Sequence, residues 1–195
     1  MNTRWYFAVH HPWNIIRHQC RRYYTVMNMS LNHIEGDTEM KGTDKILTTL
    51  NELLSEELGA ISQYMVHSEM CDNWGYQRLH KSIEKQAIDE MKHAEWLIGR
   101  ILYLEGTPAI SRVSPIKIGA DISAMLANDS SGEQTAVQLY NKAIIAAREA
   151  LDNGTADLLT KILLMEEAHG DWLEQQREQI GQIGLQNYLA TQLGE

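Results

Sequence analysis

Residues 88–97 read IDEMKHAEWL, and residues 166–173 read EEAHGDWL. Each stretch continues the apolar stripe of an amphipathic helix, yet each puts a glutamate and a histidine on that stripe, three residues apart. Glu90 with His93 and Glu166 with His169 are i, i+3 pairs, neighbours on one helix face and close enough to reach one ion. An acid on a core-facing stripe is costly unless something neutralises it. What surrounds these two stretches therefore decides both the fold and the chemistry.

From Met40 onward the 3.6-residue period is strong. Thr43 or Asp44 caps a helix running to about Asn73, with the inward stripe Ile46, Leu50, Leu53, Glu57, Ile61 and Tyr64. A break follows at Trp74–Gly75. A second helix runs to about Leu104, with Ile83, Ala87, Glu90, Ala94, Leu97 and Ile101 inward, and Gly106 and Pro108 stop it. The third runs from near Asp121 to about Leu151, with Glu133, Val137, Tyr140, Ile144, Ala147 and Leu151 inward. Asp152-Asn153-Gly154 is expected to be a turn. The fourth runs from about Ala156 to Ile180, with Leu159, Ile162, Glu166, His169 and Leu173 inward. Gly181 and Gly184 precede a short fifth helix, LQNYLATQL.

Link lengths set the topology. Helices one and two, and three and four, are joined by short links and form antiparallel hairpins. The link from Gly106 to Ala120 is about 15 residues and reaches roughly 45–50 Å when extended. That matches the length of a 30-residue helix, about 45 Å. The link can therefore run the length of the bundle. The fold class is all-α: a four-helix bundle with a long crossover between helices two and three and a short C-terminal helix.

Each long stripe carries one glutamate: Glu57, Glu90, Glu133 and Glu166. The second and fourth add His93 and His169. One acid from each of two helices, with Glu-x-x-His from each of the other two, is the known ligand pattern of ferritin-like di-iron bundles. No stripe position is Lys or Arg. Two divalent ions would balance four carboxylates with both imidazoles neutral. Mixed carboxylate and imidazole ligation suits iron, manganese or zinc, and open coordination positions suit iron that must meet oxygen.

Composition narrows the alternatives. The net charge is −9, which disfavours a nucleic-acid surface and suits cationic ligands. No apolar run is long enough to span a membrane. Cys20 and Cys71 have no metal-type spacing and suit a reducing compartment. Residues 1–34 hold four arginines and no acid, whereas from Met40 onward there are 13 basic and 23 acidic residues. Residues 1–39 are therefore read as an extension, expected to be poorly ordered, and 40–195 as the di-iron domain. The extension is read as an early-assigned start with Met40 the true one. A mitochondrial-type presequence and a basic arm for an anionic partner stay open. The location expected is cytoplasmic, or organellar if the extension is a presequence.

MKGTDKIL (40–47), LNELLSEELGAISQYMVHSEM (50–70), IDEMKHAEWLIGRILYLEG (88–106), ILLMEEAHGDWLEQQ (162–176) and GLQNYL (184–189) resemble the bacterioferritins, the haem-containing ferritins. The resemblance implies a ferroxidase whose ligands are Glu57, Glu90, His93, Glu133, Glu166 and His169. Glu90 and Glu166 would bridge both irons, Glu57 and His93 complete one site, and Glu133 and His169 the other. It implies haem b held by Met91 from each of two subunits, a shell of 24 subunits, Fe(II) with oxygen or peroxide as substrates, and a ferredoxin-type reductant for iron release. Tyr64 is either a core aromatic or an electron donor near the centre, and Trp172 is packing. Some members carry His five residues before the bridging Glu90, at an inner-surface iron site. Here that residue is Lys85, with Asp89 retained, and an accessory inner site is not expected. Two other readings share parts of the pattern: an oxygen-activating di-iron enzyme with an organic substrate, and a DNA-protecting mini-ferritin.

Overall fold

The computed structural model describes residues 42–194; the readings made for residues 1–39 lie outside them. Five helices follow one another: α1 (Asp44–Asn73), α2 (Gln77–Tyr103), α3 (Ile122–Glu149), α4 (Asn153–Ile183) and α5 (Leu185–Gln192). Among the described residues there is no strand, and no helix is long and apolar enough to cross a membrane. The four-helix bundle with a long crossover and a short fifth helix, expected from the periodicity and link lengths, is the fold found.

The caps explain the boundaries. The Thr43 hydroxyl accepts from the Ile46 N–H at 3.3 Å and starts α1, and Asp121 accepts from the Ala124 N–H at 2.8 Å and starts α3. Gly75, at φ +83°, turns the chain between α1 and α2, and Gly184, at φ +79°, separates α4 from α5. Both angles lie in the left-handed region that glycine enters without strain.

Asp152-Asn153-Gly154 corrects the sequence expectation. It is not a free turn but the cap and first residues of α4, which starts three residues earlier than the pattern suggests. Leu151, expected inward on the third helix, instead lies past the end of α3 and is exposed. Asp152 accepts from the Thr155 N–H at 3.0 Å, from the Thr155 hydroxyl at 2.6 Å and from the Arg100 guanidinium. Burial alone would raise the Asp152 pKa; the bonds from Thr155 and the charge of Arg100 outweigh it and hold the carboxyl below its usual range. Asp152→Ala should therefore cost about 1–2 kcal/mol of stability at pH 7, a drop in melting temperature of roughly 3–6 °C. A depressed carboxyl stabilises above its unfolded pKa and loses that contribution as pH falls through the folded one. The gap between variant and native should thus shrink below about pH 4, and a constant gap from pH 7 to pH 3 would contradict this.

The crossover is bonded along α1. Ala109 N–H donates to Asn51 (2.7 Å), Ser114 N–H to the Ser55 carbonyl (3.1 Å), Lys117 N–H to Gln63 (2.7 Å) and Gly119 N–H to His67 Nε2 (3.0 Å). His67 Nδ1 in turn lies 2.9 Å from buried Asp129 on α3. A linker of otherwise unpaired backbone is satisfied by three polar side chains and one carbonyl of a single helix, so α2 and α3 run parallel.

Buried apolar side chains form two clusters. One holds Leu50, Leu54, Leu97, Ile101, Tyr140, Ile144, Leu159 and Ile162. The other holds Tyr64, Leu79, Ile83, Met125, Leu126, Leu173 and Tyr188. On every long helix the stripe glutamate falls between the residues of one cluster and those of the other. The bundle is thus apolar at both ends and polar in the middle.

Candidate metal centre

Glu57 on α1, Glu90 and His93 on α2, Glu133 on α3, and Glu166 and His169 on α4 meet in that middle layer. All six are buried, with relative exposures from 0% to 6%. Their ligand atoms form two groups, Glu57–Glu90–His93–Glu166 and Glu90–Glu133–Glu166–His169, and within each group all lie within 4.8 Å of one another. Glu90 and Glu166 belong to both groups. The structure therefore brings together all six residues that the sequence singles out, in two overlapping sets.

Nδ1 of each histidine faces the acids. His93 Nδ1 lies 2.7 Å from Glu90, 2.9 Å from Glu166 and 3.5 Å from Glu57. His169 Nδ1 lies 3.0 Å from Glu90 and 3.7 Å from Glu166. Proximity does not satisfy the layer, however. Glu90 Oε1, Glu133 Oε2, Glu166 Oε1 and His169 Nδ1 are buried without a hydrogen bond of acceptable geometry. Buried polar atoms normally have a partner. Among the described residues, no Lys or Arg pairs with any of the four glutamates. Four unsatisfied donor atoms converging from three helices, with no fixed cation, fit a pair of divalent metal ions.

The electrostatics are those of acids and imidazoles packed together without a fixed cation. Burial raises the Glu57 and Glu133 carboxyls well above their usual range, with the neighbouring Glu166 and Glu90 charges adding to it. For His93, burial disfavours the charged ring, but hydrogen bonds to Glu166, Glu57 and Glu90 outweigh that and push it up to about 12. The same balance raises His169 to about 9. For Glu166, burial is overcome by bonds from His169 and His93, which bring it down to about 2.

Two tyrosines cross the bundle. Tyr64 stands seven residues after Glu57 on α1 but donates its hydroxyl to Glu133 on α3. Tyr140 stands seven residues after Glu133 but donates to Glu57. Tyr140 was read from the sequence only as core. Its repeat of the Glu57–Tyr64 spacing was the signal available for finding it.

A cavity of about 90 Å³ reaches the layer between α1, α3 and the crossover. Exposed Pro115, Ile116 and Gly132 line its outer part, and Glu57, Tyr64, Glu90, Glu133 and Glu166 its inner part. Small, hydrated species can pass such an opening.

The other singled-out residues lie off the layer. Met91 is 43% exposed, as is Ile88 one turn earlier, so a soft thioether and an apolar neighbour face outward together. That donor set fits the face of a haem. Asp89 is bonded by Lys85 Nζ at 2.9 Å and Lys92 Nζ at 2.8 Å, which hold its pKa down to about 2 against the effect of burial. Trp172 packs at the edge of the second apolar cluster.

A family model for the ferritin-like domain matches residues 47–183. A bacterial ferritin of a Synechocystis species is 41% identical over 155 residues, which are 79% of this chain and 99% of that protein. The bacterial ferritin of Paramagnetospirillum magnetotacticum is 42% identical over 159 residues, covering 80% and 96% of the two chains. The bacterioferritin of Mycolicibacterium paratuberculosis is 39% identical over 151 residues, covering 77% and 95%.

Proposed function

The chain belongs to the ferritin family, on its bacterioferritin branch, and from that premise we propose that it stores iron by oxidising it. Ferrous iron is the substrate. Two ions bind at Glu57, Glu90, His93, Glu133, Glu166 and His169, and together give two electrons to oxygen or peroxide. The observation that carries this reading is the pair of buried donor groups sharing Glu90 and Glu166, with their unsatisfied atoms. The protein supplies positioned ligands, bridging charge and a layer walled on both sides by apolar packing. Tyr64 and Tyr140 hold Glu133 and Glu57 by their hydroxyls and so limit where each terminal carboxylate can turn.

The cavity on the crossover side, at about 90 Å³, admits small species such as iron and oxygen. All six donors come from one chain, unlike the mini-ferritin arrangement between subunits.

Haem b would be held by Met91 of one subunit and the same residue of a second copy, and would conduct electrons when stored iron is reduced for release. The reading extends to a hollow shell of 24 copies of residues 40–195, a ferredoxin-type reductant and a cytoplasmic location, or an organellar one if residues 1–39 are a presequence.

A metal titration tests the centre. Burial raises Glu57 and Glu133, and the neighbouring carboxylates raise His93 and His169. Binding two divalent ions requires all four as deprotonated ligands, so protons should be released on binding. Affinity should rise with pH, because protons compete with the metal. A pH-stat titration with Co(II) in the absence of oxygen measures both. Binding of fewer than two ions, or no proton release, would contradict the proposal.

A further inference from the structure

The two halves of the centre repeat Glu-x-x-His, but their imidazoles lean on different atoms. In each ring Nδ1 faces the carboxylates. The proton on the far nitrogen, Nε2, then needs an acceptor, and behind a metal ligand this is usually a carboxylate, a carbonyl or water. On α4, His169 Nε2 faces the Asp89 carboxylate at 3.7 Å, longer than a direct hydrogen bond, and Lys85 and Lys92 hold that carboxylate in place. On α2, His93 is fully buried, and its Nε2 meets the thioether of Met165, with Sδ at 3.4 Å.

A thioether is a weak, uncharged acceptor. A carboxylate behind an imidazole fixes the ring and also makes the opposite nitrogen a stronger donor to metal. A thioether fixes the ring and adds little to its basicity. The sequence signal is slight, a methionine immediately before the bridging Glu166, and methionine is ordinary core filler. Only the packing of α4 on α2 shows what the sulfur touches.

We propose that Met165 is a positioning residue that orients His93 through its Nε2–H and makes the His93–Glu57 half of the dinuclear centre the weaker of the two. The proposal rests on the reading of the six residues as metal ligands. Ions then load in order, first beside His169 and Glu133, second beside His93 and Glu57, and leave in the reverse order.

The test uses the full-length, assembled protein stripped of metal and titrated with Co(II) without oxygen, followed by visible absorption. The native protein should bind two ions per chain in resolved steps, the second at least roughly tenfold weaker. Met165→Gln offers a carbonyl acceptor and should tighten the second step by roughly tenfold, whereas Met165→Leu keeps the volume without the acceptor and should weaken it by a similar factor. Both should change the Co(II) spectrum of that step and leave the first step alone. Glu57→Ala should remove the second step only, which assigns it to the His93 half. Equal native steps, no effect of either Met165 variant, or both steps moving together as loosened packing would move them, each overturn the proposal. These outcomes leave the ligand set standing. A native protein that binds no Co(II) tightly overturns the ligand set and this proposal with it.

Discussion

Replacing Glu90 and Glu166 together by alanine should reduce the oxidation of ferrous iron to the rate of a protein-free solution. These are the two acids common to both donor groups, so the variant takes two of the four donors from each group and half of the carboxylate charge from the layer. Glu57 with His93, and Glu133 with His169, would remain as two-ligand fragments, too few to hold a pair of hydrated ions against water. The fold should survive, because the apolar clusters on either side of the layer contain neither residue. Both substitutions remove acids that need a counter-charge, a burden on the metal-free chain. Stopped-flow absorbance reads the ferrous oxidation, and circular dichroism with particle size reads folding and assembly. Rapid oxidation persisting in a folded, assembled variant would remove the ferroxidase assignment.

Met91→Ala should give a colourless protein. If each haem takes the same methionine from two subunits, one substitution removes both axial ligands. Met91 is one residue from Glu90, about 100° round the helix, and its side chain is exposed where Glu90 is buried. Ferrous oxidation should therefore proceed at the native rate while the haem absorption band disappears and reductive iron release slows. Retention of the band would assign the haem elsewhere, and a joint loss of haem and oxidation would mean that the two faces of α2 are not independent.

Particular residues show what could be read beforehand and what could not. Thr43 and Asp121 announce their helices because a cap bond closes over three residues, within local sequence. Asp152 misleads although its cap bond to Thr155 is equally local. Asp-Asn-Gly has turn chemistry by composition, and the sequence does not show the further bond from Arg100, 52 residues away on α2. Glu57, Glu90, Glu133 and Glu166 stand out because an acid on an apolar stripe is an anomaly in any window of the chain. Tyr140 does not, because a tyrosine on such a stripe is ordinary, and its partner Glu57 is 83 residues distant. Met165 is hidden more completely, since nothing in its own sequence neighbourhood distinguishes a sulfur facing a ligand from one filling space.

The sequence by itself determined the four helices, their short and long connections, and which six side chains carry the anomaly of charge on an apolar face. These follow from periodicity, capping and burial cost, all properties of single helices. The family resemblance implied which acids are shared between the two donor groups; the tertiary structure alone decided that Tyr64 and Tyr140 cross to opposite glutamates, and that His93 backs onto a thioether where His169 faces a carboxylate. Those pairings depend on the rotation and axial offset of one packed helix against another. A shift of a single residue there exchanges every contact, while the pattern of each helix read alone stays the same.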